Sequence, residues 1–198
     1  MASISDKIIK IHQPQPKHKV ISEIAQRWSP RYFQPEEIPS QDLNIIFEAA
    51  RWTPSGHNHQ PWYFYFAKKG TKTWDKLFET LNPYNQSWAK TASVLILAGA
   101  ITTIPKEGKN PYAFYDLGAA VLALVLQAQS LNYYSRQMAL FDKQKVSKFF
   151  KLEKNIEPYI VIAMGKIGDH QKASKQIITY ELDPRPRKTK IAQELKLL

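Results

Sequence analysis

The chain contains no cysteine. Disulfides, thiol catalysis and cysteine zinc sites are therefore excluded, and the composition suits a reducing, cytoplasmic setting. Glycine is scarce, at 7 of 198 residues, and no Gly-x-Gly-x-x-Gly dinucleotide fingerprint is present. The most hydrophobic stretches, residues 92–101 and 117–129, are short for a bilayer span and read as buried core, so no membrane partner is expected. The opening segment, MASISDKIIKIHQPQPKHK, has scattered charges and no long apolar run, so no secretory signal is expected. There is no internal repeat or low-complexity tract. Acidic residues are in the minority, 17 against 28 Lys and Arg, for a net charge of +11.

What is present is a hydrophobic fraction of 43%, enough to build one sizeable core at this length. One domain over 1–198 is expected, with 1–19 as a connector or arm and 166–198 as an extended tail. More than half of the positive excess falls after residue 142. The lysines of 143–154 suit a solvated helix face. Nucleic acid is an improbable partner, because no zinc-finger, KH or RNP pattern accompanies the charge.

Periodicity predicts helices over 20–27, 40–52, 71–81, 116–132 and 141–150, with Ser40 as an N-cap. Strands are predicted over 62–67, 93–98, 133–138 and 158–164, and a last short helix near 191–198. Irregular alternation of helices and strands points to an α+β or α/β fold with a central sheet.

Three segments carry candidate chemistry. In Arg27-Trp28-Ser29-Pro30-Arg31, two guanidinium forks and a hydroxyl meet where a helix breaks, which suits a phosphate or an ordinary basic turn. Pro54-Ser55-Gly56-His57-Asn58-His59-Gln60-Pro61 is a rigid loop that can hydrogen-bond a planar ligand edge or serve only as a turn. His57 and His59 lack a third ligand at sensible spacing, so no metal is expected. In Asp183-Pro184-Arg185-Pro186-Arg187, the prolines keep the chain extended and project both arginines to one side. A solvated basic linker is the alternative there.

Taken together, Arg27 to Phe33 and Ala49 to Trp62 resemble the signature of the nitroreductase family of FMN flavoproteins. The resemblance spans residues 20–190. It implies a three-layer α+β sandwich, a central, mostly antiparallel sheet wrapped by helices, in an intertwined homodimer. It implies hydride transfer at the flavin N5 from NADH or NADPH to a nitroaromatic, quinone or related small-molecule acceptor, by a ping-pong route. No side chain is catalytic in that scheme.

Residue by residue, the resemblance implies that Arg27 and Ser29 hold the FMN phosphate, that Trp28 between them also contacts the cofactor, and that Arg31 lies near the flavin pyrimidine edge. Pro54, Ser55, Gly56 and Asn58 would reach the flavin from the partner subunit. Asn85 would hydrogen-bond the ring, and Arg185 and Arg187 would complete the phosphate site. Gln137, Met138, Ala139 and Leu140 would pass the N5 edge with their main chain. The family commonly has glycine where this chain has Leu140, and often where it has Asn132. A main-chain N–H survives the first change, whereas a glycine-only dihedral would not; asparagine tolerates the left-handed region. The scaffold also hosts other flavin chemistry, such as dehalogenation, azoline oxidation or flavin fragmentation. A non-catalytic flavin- or nucleic-acid-binding protein is the alternative from another class.

Overall fold

Small and apolar residues fill Val94–Ile101, so a strand made of them must be covered on both faces. The computed structural model, which describes residues 2–14, 16–189 and 191–192, sets this segment inside an antiparallel sheet. In chain order the elements are α1 (Ile4–His12), α2 (Ser22–Gln26), α3 (Ser40–Arg51), β1 (Trp62–Lys68), α4 (Lys72–Glu79), α5 (Pro83–Ala89) and β2 (Val94–Ile101). There follow β3 (Thr103–Ile104), β4 (Gly108–Lys109), α6 (Ala113–Ser130), β5 (Tyr134–Met138), α7 (Lys143–Phe150), β6 (Ile156–Gly165) and α8 (Lys175–Glu181). The main sheet runs β1-β2-β6-β5, and each neighbouring pair is antiparallel. β3 and β4 make a separate small hairpin.

The two-residue period of β2 sorts the layers. Val94, Ile96, Ala98 and Ala100 face Leu43 and Ile46 of α3 and Leu117, Val121 and Leu124 of α6. Leu95 and Leu97 face the other way, toward Trp74 and Leu77 of α4, Trp88 of α5, Val146 of α7 and Ile177 of α8. The fold is therefore an α+β sandwich with helices on both faces of one antiparallel sheet. Each large aliphatic side chain buried in these layers contributes about 1.5–3 kcal/mol.

Among the described residues, α6 alone has the length and apolar character of a membrane span, and half of it is buried against the sheet and α3. It begins three residues before the expected Asp116. Asp116 instead lies in the first turn, buried, and accepts the Gly56 N–H at 3.1 Å.

Several local expectations are corrected. Ser40 does not cap α3: Pro39 is the N-cap, and the Ser40 hydroxyl accepts from Lys68 Nζ at 3.1 Å. Residues 141–142 precede α7, and the Asp142 carboxylate caps it through the Lys145 N–H at 2.8 Å. The arm contains α1, started by a capping box between Ser3 and Asp6. The region taken as an extended tail contains a 3-10 turn, His170–Lys172, and α8, capped by Ser174. Both helices are short and carry few buried apolar residues, so periodicity alone is weak there. The helix expected near 191–198 falls almost wholly outside the described residues. On α7, Lys143 pairs with Glu157 and Lys145 with Glu79, at 3.3 and 2.5 Å, so its lysine face is partly neutralised.

The ladder between β2 and β6 shifts register between Ala98 and Gly99. A Cβ at Gly99 would lie 2.9 Å from the Glu157 carbonyl oxygen, on backbone that cannot swing aside. Gly99→Ala is expected to destabilise the fold by about 1–3 kcal/mol. An unchanged denaturation midpoint would show that the bulge can relax.

Candidate functional site

Among the described residues, β5 ends the main sheet and has a strand neighbour on one side only. Along its flank the chain leaving α2 makes the turn Arg27 to Arg31. Two clefts open there and share Arg27, Ser29 and Arg136 as a common wall. One, of about 530 Å³, is bounded further by Leu122 and Val125 of α6 and by Gln137. The other, of about 240 Å³, is bounded by His12, Trp28, Arg31, Tyr180, Asp183, Arg185 and Arg187 among others.

The common wall is held by its own hydrogen bonds. Arg27 Nη1 donates to Ser29 Oγ at 3.0 Å, and Arg136 Nη1 donates to the Ser29 carbonyl at 2.6 Å. The Arg136 guanidinium lies over the Trp88 ring, 5.4 Å from its centroid. Arg185 donates to the carbonyls of Arg27, His12 and Ala25 at 2.7, 3.0 and 2.9 Å. A guanidinium has five N–H donors, so Arg185 clips the turn together and still keeps N–H groups for a ligand.

Five arginines thus meet at one place: 27, 31, 136, 185 and 187. Burial, and then Arg187, pushes the Arg27 guanidinium below its ordinary value. Burial lowers Arg136 and Arg185 as well, followed by Arg31 in the first case and by Arg187 and Arg27 in the second. Arginine stays protonated regardless. The direction therefore records burial of these cations first and their mutual repulsion second, and a multiply charged anion relieves the second.

Arg31 has a counter-ion of its own. Its main-chain N–H donates to Glu181 Oε1 at 2.8 Å, and its Nη1 lies 3.5 Å from the same oxygen. Its guanidinium sits over the Tyr180 ring, 5.0 Å from the centroid. The Glu181 side chain is fully buried, with Oε2 3.8 Å from Nε2 of buried His170.

The wall beside β5 is set by α5. Asn85 Nδ2 donates to the Leu140 carbonyl at 3.1 Å, and the Asn82 N–H donates to the same oxygen at 3.2 Å. Leu140 has no positive φ, so no glycine-only dihedral arises there; its side chain is 62% exposed. Asn132 does take the left-handed conformation, φ 61°. Met138 is buried in the core, so only its main chain can face a ligand, while Gln137 lines the larger cleft.

The segment 24–166, well over half of the chain, matches the family model described as Nitroreductase family. The chain belongs to the nitroreductase family. A solved structure described as an oxidoreductase containing FMN is 30% identical, covers 93% of this chain and 96% of its own, and superposes with a TM-score of 0.85. A protein of Mycolicibacterium smegmatis, called an uncharacterized 15.4 kDa protein, is 34% identical over 60% of this chain and 80% of its own. One of Archaeoglobus fulgidus, provisionally named an NADH dehydrogenase/NAD(P)H nitroreductase, is 25% identical over 85% of this chain and 93% of its own.

Within this nitroreductase-family chain, the predicted site residues fall into three groups, one of which, Asn85, Met138, Ala139 and Leu140, lines neither cleft. Arg27, Trp28, Ser29, Arg31, Gln137, Arg185 and Arg187 come together at the clefts. The Pro54–Asn58 loop does not line them; it packs on the start of α6, with Gly56 against Asp116 and Tyr112. His57, Asn58 and Gln60 all have positive φ, at 50°, 58° and 48°. That costly run is held by Ser55, whose hydroxyl and carbonyl accept from the N–H groups of Gln60 and Asn58 at 2.9 and 3.0 Å.

The motif reading missed Arg136 and His12 as cleft residues. Arg136 had a signal: it shares a phase of β5 with Tyr134 and Met138, both in the second core layer, and an inward cation on an apolar phase needs a reason. His12 had none, because its place depends on how α1 docks.

Proposed function

We propose that this chain is an FMN-dependent oxidoreductase that passes hydride from NADH or NADPH to a small-molecule acceptor such as a nitroaromatic or quinone. The observation that carries this reading is the wall of Arg27, Ser29 and Arg136 shared by two clefts, with Arg185 and Arg187 beside it and few carboxylates near. A phosphate ester fits that donor set in charge and in hydrogen-bonding capacity. The larger cleft then leaves room for a ring along β5, between Gln137 and the α6 face. When bound, FMN supplies a ring that takes up and returns a hydride.

The work of the chain is to hold, orient and shield. Arg27, Ser29 and Arg136 would fix the phosphate end. Asn82 and Asn85 brace the Leu140 carbonyl, which sets the wall beside β5. Arg31 stands close to Glu181, so it adds less net charge than the other four arginines. Hydride uptake at N5 would require no proton donor from the chain, and among the described residues no pair of carboxylates lines the clefts. Donor and acceptor would occupy the open cleft in turn, in ping-pong order.

One protomer leaves the larger cleft open to one side. Tyr112, Tyr115 and Leu122, at helical spacing along α6, are exposed by 52, 82 and 51%, and Trp52, the C-cap of α3, by 74%. Apolar exposure of this kind suits a second copy of the chain. We infer a homodimer in which the partner copy of the Pro54–Asn58 loop closes the cleft. Asn58→Gly, which adopts the left-handed φ of 58° without strain, is then expected to weaken FMN retention with little change in the melting temperature. Unchanged affinity in an FMN titration would remove the loop from the site.

The deciding experiment is the visible spectrum of purified protein, before and after anaerobic NADH and then NADPH. Flavin bands that bleach with either donor support the proposal. Bands that persist with both would point to other flavin chemistry. A colourless protein that fails to take up FMN would overturn the reading.

A further inference from the structure

His12 ends α1, outside the segment 24–166 that matches the family model. It is 7% exposed and lies on the wall of the smaller cleft. Its ring stacks on Trp28, with centroids 3.9 Å apart and planes at 11°. Its own carbonyl accepts from Arg185 Nη2 at 3.0 Å. Ser5 holds the other end of α1, with its hydroxyl accepting the His170 N–H at 3.0 Å.

The hydrogen bonds of the ring define its proton. Nε2 lies 2.8 Å from the Glu181 carbonyl, which can only accept, so Nε2 carries the hydrogen. Nδ1 is buried and has no hydrogen-bond partner among the described residues. In the neutral ring it is a bare acceptor, and a buried polar atom left so is costly.

The groups around the ring are Glu181 from α8, His170 from the 3-10 turn, Arg185 and Asp183 from the chain after α8, and Arg27 across the cleft. Burial lowers the His12 pKa most; the Glu181 carbonyl and carboxylate raise it, and Arg185 and His170 lower it. What would favour the cation is negative charge in the cleft whose wall His12 helps to form.

We propose that His12 is a further binding residue of the arginine cleft, neutral without an anion there and protonated when a dianionic phosphate ester enters. This rests on reading the cleft as an anion site. Two negative charges among the arginines favour the cationic form of a histidine on the same wall. The sign follows: between the pKa values of the free and bound states, binding takes up a proton. Affinity then rises as pH falls through the bound-state value, and the gain levels off below the free-state value.

The test uses full-length protein with ring-labelled histidine, FMN as one probe and inorganic sulfate as the other. Sulfate stays dianionic over the whole range, so proton uptake with it comes from the protein. At pH 7 the His12 signals should report the neutral Nε2–H form without a probe and the imidazolium with either. Titration calorimetry in two buffers of different ionisation heat should show proton uptake in the wild type and in His170→Gln. His12→Gln, which keeps a donor toward the Glu181 carbonyl, should show none and should bind FMN about fivefold more weakly.

A neutral His12 signal with FMN bound would overturn the role of His12 and leave the anion site standing. Uptake that survives in His12→Gln would do the same. Failure of FMN and sulfate to bind the wild type would overturn the anion site itself.

Discussion

Replacing Arg136 by methionine is expected to weaken FMN binding about 100-fold while leaving riboflavin binding nearly unchanged. Methionine keeps the length of the arginine stem and an apolar contact on Trp88, so the core layer behind it stays filled. What is lost is a fixed cation on the wall shared by the two clefts and its 2.6 Å bond to the Ser29 carbonyl. A hydrogen bond to a charged group contributes about 1.5–3 kcal/mol, which is where the figure comes from. Riboflavin lacks the phosphate, so the ratio of the two affinities isolates the phosphate end. Equal losses for both ligands would mean that Arg136 only shapes the turn.

Glu181→Ala should lower global stability by about 3–5 kcal/mol, the usual result of breaking one side of a buried ion pair. The change strips the acceptor from the Arg31 main-chain N–H and leaves the Arg31 guanidinium without its carboxylate. In a chain of this size the melting temperature should fall by about 10 °C. The double variant Arg31→Met with Glu181→Leu should recover only the part due to the unpaired charge, because an apolar pair replaces both charges but still leaves the Arg31 main-chain N–H without its acceptor. If Glu181→Ala melts with the wild type, the pair is not holding α8 to the turn after α2. FMN affinity in the double variant then reports what Arg31 itself contributes to the site.

Much of the frame was legible without coordinates, and the elements show why. A continuous apolar run such as Val94–Ile101 has no amphipathic alternative, so it has to be a two-sided central strand. The 3.6-residue spacing of Leu43, Ile46 and Ala50 commits α3 to one buried face. Arg27, Ser29 and Arg31 are tied to a turn by Pro30, and the Asn132 turn follows from what asparagine tolerates. These are local consequences of side-chain shape and backbone sterics, and the long ordered motif from Ala49 to Trp62 added the family.

The remainder depends on contacts between residues far apart in the chain. Arg136 and Ser29 are 107 positions apart, His12 and Glu181 169, and Arg185 and His12 173. No window of local sequence contains such pairs. The short helices α1 and α8 have too few apolar residues to declare themselves, and a nine-residue helix such as α1 is marginal alone in water. Their structure depends on docking, through Ile8, the His12–Trp28 stack and Ile177. By itself, the sequence determined a central sheet among helices, the basic turn and the loop motif, because propensity and period act over a few residues; the layering was implied by the family resemblance. Only the tertiary structure decided that the arm, the turn and the tail converge on one arginine-lined wall, because long-range packing and charge balance exist only once the chain has closed on itself.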